Sequence, residues 1–273
     1  MIETPASWPD VSTRTENCVS EISLWMNSNS LKLNQDKFEY ILFHPKHRKP
    51  HPGDFSLTLS GITYLPAGKV KNLGVVQDSC LTMEQQISSI TRSCYHQIRT
   101  ISRIRSYINK DTCKMLVSAL VTSRLDYANT LLYGIPHFLS SRLQRLQNCA
   151  APLVTLTPRR AHITPVLKEL HWLPADYRPR YKVLLLTYKV LHGQAPSYLS
   201  DMLTVYQPTR TLRSSNRSLL EVPRARTSYG KRTFRYASAV PWNDLPQHVK
   251  TASSVTSFKK LLKTHLFKLA YSL

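Results

Sequence analysis

"LTMEQQISSITRSCYHQIRTISRIRSYINK", residues 81–110, decides how the rest of the chain is read. Ile87, Ile90, Cys94, Ile98, Ile101, Ile104 and Ile108 recur at three and four residues, the spacing of one face of an α-helix. Arg92, His96, Arg99, Arg103 and Lys110 recur at three, four and seven, and fall about opposite the isoleucines. A charge run is usually a solvated face. Here, however, no acid stands between Glu84 and Asp111, so i,i+4 ion pairing does not account for the row. That favours contact with phosphates.

Downstream, a second helix is expected from Thr112 to Tyr133, closed by Gly134 and Pro136. Ser141 and Gln144 have the spacing of a capping box for a third helix through Ala150. Three antiparallel helices with short links make one bundle. Pro152 and Pro158 then interrupt the pattern and suggest a boundary. Thr164–Pro165 starts a helix running to His171. The next helix turns Tyr181, Leu184, Leu185, Tyr188 and Leu191 inward and ends on Gly193. Residues 207–246 lose helical period and become rich in Arg, Ser and Pro, with one short strand candidate in "LLEVP" (219–223). A final amphipathic helix, Val255 to Leu269, carries Phe258, Leu261, Leu262 and Leu269.

Upstream of residue 81 the pattern is different. Residues 15–29 place Cys18, Val19, Ile22, Trp25 and Met26 on one helical face. "KFEYILFH" (37–44) reads as a strand, and "SLTLSGITYL" and "KVKNLGVVQD" add further short ones, with turns around Gly53–Asp54 and Ala67–Gly68. The expected class is therefore α+β, mainly helical. A helix with a small antiparallel sheet occupies 1–80, a helical bundle 81–151, and a basic helical and irregular domain 152–273.

Charge follows the same division. The chain has 273 residues and a formal net charge of +21. Up to residue 80 there are 8 Lys and Arg against 8 Asp and Glu; from residue 81 there are 29 against 8. A one-signed field of this size calls for an anionic partner, nucleic acid first and an anionic membrane surface second. The aromatics do not lie on a basic helix face, which sets the membrane reading last. No apolar stretch is long enough to span a bilayer and the N-terminus has no signal-peptide pattern, so an intracellular, nuclear or cytoplasmic protein is expected. Five scattered cysteines, none CxxC-spaced, suggest neither a disulfide framework nor zinc. His44, His47 and His51 sit among Lys, Arg and Pro in a loop, a poor setting for a cation. No GxGxxG, GxxxxGK or GxSxG occurs.

Six stretches carry a resemblance: "WMNSNSLKLNQDKFEYILF" (25–43), "VKNLGVVQD" (70–78), "SRLDYANTLLYGIP" (123–136), "LQRLQNCAA" (143–151), residues 162–203, and "WNDLPQHVKTASSVTSFKKLLKTHLF" (242–267). Together they resemble the C-terminal portion of LINE-type (non-LTR) retrotransposon reverse transcriptases, from the end of the palm through the thumb to the C-terminal domain. In that family the "LKLN..K" element follows closely behind a Phe/Tyr-Ala-Asp-Asp strand that carries metal-binding carboxylates. Nothing before residue 25 resembles that strand, and no Asp-Asp, Asp-x-Asp or Glu-x-x-Asp pair occurs anywhere. Two-metal phosphoryl transfer needs such clustering. The expectation is thus a chain that binds RNA or DNA template-primer without polymerase chemistry of its own. No cofactor is expected in it, Mg²⁺ belonging only to a complete polymerase.

The resemblance also assigns expected roles. Lys37 matches the motif lysine near the incoming triphosphate, although Phe38 departs from the usual Thr; on the residues alone it is an exposed strand-edge lysine. Gly74, in "NLGV", matches the primer grip, where a glycine lets backbone approach a nucleic-acid strand; a plain turn glycine fits equally. Arg92, His96, Arg99, Arg103 and Lys110 would line the thumb. The second basic zone, residues 209–242, holds Arg210, Arg213, Arg224, Arg226, Lys231, Arg232 and Arg235 with Tyr229, Phe234, Tyr236 and Trp242, and Glu221 as its one acid. Such a mixture suits single strands or RNA loops, or else a folded segment whose aromatics are core. A stand-alone basic nucleic-acid-binding protein and a decayed copy are the alternatives. Pro152, where the family commonly has Arg, and Pro179, at a helix start, point toward decay. Nothing in the sequence fixes an oligomeric state.

Overall fold

The computed structural model describes residues 8–47, 49–59, 61–158, 160–207 and 218–272. The fold is mainly helical α+β with two small antiparallel sheets. The chain divides into two compact units, residues 1–86 and 87–273.

The first unit opens with α1 (Trp8–Ser28). Its N-terminal half is tied to the following hairpin. Trp8 meets the Phe55 ring edge-on at 5.1 Å, its indole N–H donates to the Ser56 carbonyl, and Glu16 accepts from the Thr58 amide. That hairpin is β1 (Leu57–Leu59) with β2 (Ile62–Tyr64), and Leu57 and Leu59 point into the unit. A second, separate hairpin joins β3 (Lys69–Asn72) to β4 (Val75–Asp78), with Asn72 opposite Val75. The two residues between them, Leu73 and Gly74, have φ of 46° and 82°. Positive φ at both positions is the signature of a type I′ turn, whose twist matches that of paired strands.

One expectation for this unit fails. Of the segment 37–44, Lys37 ends a 3₁₀ turn and the rest joins neither sheet. Its backbone makes single bonds, Tyr40 accepting from Ala67 N and His44 donating to Ser79 O, so no ladder forms beside it. The apolar face of α1 does not reach a core. No described residue of α1 is buried; Ile22 is 46% and Trp25 62% exposed.

Asp78 organises the start of the next helix. Its carboxylate accepts from the amides of Cys80, Thr82 and Met83 and from the Thr82 hydroxyl, at 2.9–3.2 Å. Burial opposes its ionisation, but these donors outweigh that and hold its pKa below the ordinary carboxylate value.

Helix α2 (Glu84–Ile104) buries Ile87, Ile90, Cys94, Ile98 and Ile101. Ile104 is the last residue of the helix and stands out at the surface, and Ile108 follows a 3₁₀ turn, Arg105–Tyr107. The stripe is therefore shorter than its sequence pattern by two positions. The expected second helix comes as α3 (Lys110–Val117), a π turn (Ser118–Thr122) and α4 (Ser123–Asp126), followed by a 3₁₀ turn, Asn129–Leu132. Ala128, in the left-handed region at φ 48°, turns the chain between the last two.

Helix α5 (His137–Thr155) starts on Pro136, not on a capping box. Ser141 lies a turn inside it, and Gln144 accepts from Ala175 N. The helix continues through Pro152, past residue 151, and its buried face of Leu139, Leu143, Leu146, Ala150 and Val154 runs along its whole length. Then come α6 (Ile163–Glu169), α7 (Tyr177–Leu191), α8 (Ser197–Ser200), α9 (Phe234–Asn243), α10 (Gln247–Lys250) and α11 (Val255–Tyr271). Pro179 sits in the first turn of α7, where its missing N–H would have had no helical partner. Gly193, at φ 66°, ends α7: its N–H reaches Val190 O while Gln194 N–H reaches back to Lys189 O, a Schellman arrangement.

The core of this second unit centres on α7, α9 and α11. Tyr188 stacks on Phe258 at 4.1 Å, its hydroxyl donating to Ala252 O at 2.6 Å, and Trp242, Leu184, Leu262 and Leu266 are buried with it. The inward row of α11 is Phe258, Leu262 and Leu266, while Leu261 and Leu269 lie at its rim. "LLEVP" supplies a single bridge, Val205 with Leu220, instead of a strand. Helix α9 itself was not visible as a period, because alanines, a serine and Pro241 fill its buried face.

Candidate nucleic-acid interface

Arg92, His96, Arg99 and Arg103 are all exposed on α2, opposite its buried row. Geometry follows from the helix: positions three and four apart share a face. None of the four forms an ion pair among the described residues. Four long polar side chains in one line, without anionic neighbours on their own helix, make a surface suited to a phosphate backbone.

Lys110 does not belong to that line. It is the first residue of α3, and its ammonium pairs with Glu169 at 2.7 Å. Arg105 is turned away as well. Its guanidinium donates to the carbonyls of Ile108, Leu153 and Val154, closing the C-terminal end of α5. It satisfies helix-end acceptors and is no phosphate ligand.

Two cations that the sequence reading missed widen the face. Arg142 on α5 donates to Ser88 of α2 at 3.2 Å, and exposed Arg145 lies one turn further along α5. Both act on Tyr95 of α2. Burial, reinforced by neighbouring Cys149, raises the pKa of its phenol, and the two arginines pull it down. Their i,i+3 spacing on a helix was the available signal, and it was hidden because the two belong to a different stretch from the α2 row.

The second basic zone is divided by the fold. Arg224, Arg226, Lys231 and Arg235 are exposed. Arg232 is half-buried, donating to Leu131 O and laying its stem against Gly134. Trp242 is core, with its N–H on Ser218 O, so it is no stacking surface. Arg210 and Arg213 lie outside the described residues.

In the first unit, Lys37 is exposed at the end of a 3₁₀ turn, Gln35–Lys37, between Asp36 and Glu39, which offset its charge locally. Gly74 is the second residue of the type I′ turn, and its positive φ accounts for it without a ligand. His51 uses its ring nitrogen to accept from Gly53 N. Among the described residues no group of three or more His, Cys, Asp or Glu could hold a metal ion. Among the same residues, no helix is long and apolar enough to cross a membrane.

A cleft in the second unit gathers Asp126, His171, Arg178, Lys182 and Lys263. Arg178 is committed there: it donates to both Asp126 oxygens at 2.9 and 3.0 Å and keeps only 12% of its side chain exposed. The α2 face is the stronger candidate, since its cations are unopposed. No protein-family model matches the chain, and neither a curated protein nor a solved structure does.

Proposed function

We propose that residues 87–273 bind an RNA or DNA template-primer through the exposed face of α2, and that the chain corresponds to the C-terminal portion of a LINE-type reverse transcriptase. The observation that carries the binding is the row Arg92, His96, Arg99 and Arg103, exposed, opposite a buried isoleucine row and with no acid on the helix beyond Glu84 in its first turn. Arg142 and Arg145 support it from α5. The six stretches of resemblance support the family. The role is binding and positioning; the acids are spread singly along the chain, and no polymerisation step is assigned to them.

Counterion release supplies the test. Each phosphate that an arginine neutralises contributes about 0.9 to the slope of log affinity against log salt on a B-form duplex. The triple variant Arg92→Ala/Arg99→Ala/Arg103→Ala should flatten the slope on an RNA–DNA hybrid by roughly three units, equally for unrelated sequences, because phosphate contacts carry no base code. Lys110→Ala, already paired with Glu169, should change it much less. An unchanged slope in the triple variant would reduce the row to a solvated face.

A further inference from the structure

The α2 row does not stop at Arg103. Its spacing, 92, 96, 99, 103, is continued by residue 107, and that residue is a tyrosine. Tyr107 is the last residue of the 3₁₀ turn that follows α2, one turn beyond Arg103, and is 86% exposed. An aromatic of this size left so bare makes no contribution to a core. Its neighbours explain why it faces out: Arg105 is drawn onto the end of α5 and Ile108 is half-buried, so the chain on either side is anchored.

The electrostatics change along the same line. Arg103, in the last turn of α2, is the last cation of the row; beyond it the partial negative charge of the helix C-terminus disfavours a further phosphate. A base is not disfavoured, because its flat face is uncharged and stacks on an aromatic ring whatever its sequence. Cations along the body of α2 and a bare ring at its C-terminal end therefore fit two parts of one ligand, backbone first and unpaired base second. We propose that Tyr107 is a stacking platform for an unpaired base at the end of the duplex that the α2 face holds. This rests on the nucleic-acid reading and refines it: the preferred ligand is a duplex with a single-stranded extension, not a blunt one.

The probes are a blunt RNA–DNA hybrid and the same hybrid with a short 3′ or 5′ overhang whose first unpaired base is 2-aminopurine. The full chain should bind one overhang hybrid roughly tenfold more tightly than the blunt one and quench the 2-aminopurine. Tyr107→Ala should abolish the preference and the quenching while leaving blunt-hybrid affinity and salt slope unchanged. Tyr107→Trp should keep both. Being fully at the surface, the position tolerates these changes without loss of fold, which circular dichroism checks. The inference is overturned if Tyr107→Ala retains the overhang preference, or weakens both hybrids alike. Equal wild-type binding to blunt and overhang hybrids, with a steep salt slope, sinks the stacking platform and leaves the basic face standing. Absence of wild-type binding to either hybrid sinks both.

Discussion

Helices α1 and α2 are both 21 residues long, and both show apolar residues at helical spacing, yet they end in opposite environments. In α2 five apolar side chains of the row are buried; in α1 none of the described residues is. The difference is what surrounds them. Helix α2 meets α5 through Arg142 and Ser88 and the π turn through Cys94 and Val121. Among the described residues, helix α1 has a three-residue strand pair and a short turn beside its first half, and the loop 32–36 near Ser23 and Asn27. Periodicity states which face is apolar; it does not state that something covers that face.

The comparison can be broken most decisively by truncation at matched positions. Ile87→Ala and Ile101→Ala, both in α2, should each lower stability by about 2–5 kcal/mol in urea unfolding. Ile22→Ala and Trp25→Ala in α1 should stay within about 0.5 kcal/mol, as surface changes do. A loss at Trp25 equal to that at Ile101 would show that α1 is covered in solution.

Next in size are the groups that close helix ends. Arg105→Ala removes a cation shared by the carbonyls of Ile108, Leu153 and Val154, and should cost about 1–3 kcal/mol while leaving the salt slope of binding unaltered. A flattened slope in this variant would place Arg105 on the binding face after all. Asp78→Ala should cost a similar amount in the first unit. Because the folded pKa of Asp78 is lowered, its contribution is present above the ordinary carboxylate value and is lost as pH falls through the lower, folded value. The wild type, but not Asp78→Ala, should show that acid-side loss.

His265 sets a milder pH effect in the second unit. Burial, then the nearby charge of Arg180 and His248, depresses its pKa, so the folded chain prefers the neutral ring. Stability should be intact above the unfolded value near 6.5 and decline as pH falls from there toward the folded value. His265→Gln should flatten that part of the profile. The smallest expected change is a gain: Leu73, 84% exposed and at positive φ, should give about 0.5 kcal/mol when replaced by Asn, which favours this turn geometry.

Much of the second unit was legible because burial there follows long apolar rows: Ile87 to Ile101 in α2, Leu184 and Tyr188 in α7, Phe258 and Leu262 in α11. Helix α9 was not, since Ala237, Ser238 and Ala239 give too little contrast between faces. The strand expected at 37–44 was misread for a different reason. Its composition suits a strand, but pairing is a property of two segments, and no ladder forms beside it. On the proposed binding face, the α2 cations could be found by spacing alone. Arg142 and Arg145 could not, because only tertiary packing brings α5 beside α2. Lys110 was misassigned for the converse reason, its partner Glu169 being 59 residues away.

The π turn at Ser118–Thr122 has a consequence for how this chain tolerates length changes. Cys113, Val117, Val121 and Leu125 are all buried at steps of four residues. In a regular helix each such step rotates the side chain by about 40°, so three steps would carry Leu125 roughly 120° away from Cys113. The wider π turn absorbs that drift and keeps the four in register. Deleting one residue within 118–122 would place Leu125 eleven residues after Cys113, only about 20° from register in a regular helix, so Leu125 and Asp126 should keep their side of the helix and the ion pair with Arg178. Five residues of irregular winding thus hold one extra residue in phase, and a single-codon deletion should be better tolerated there than in α3, where it would turn everything beyond it by about 100°.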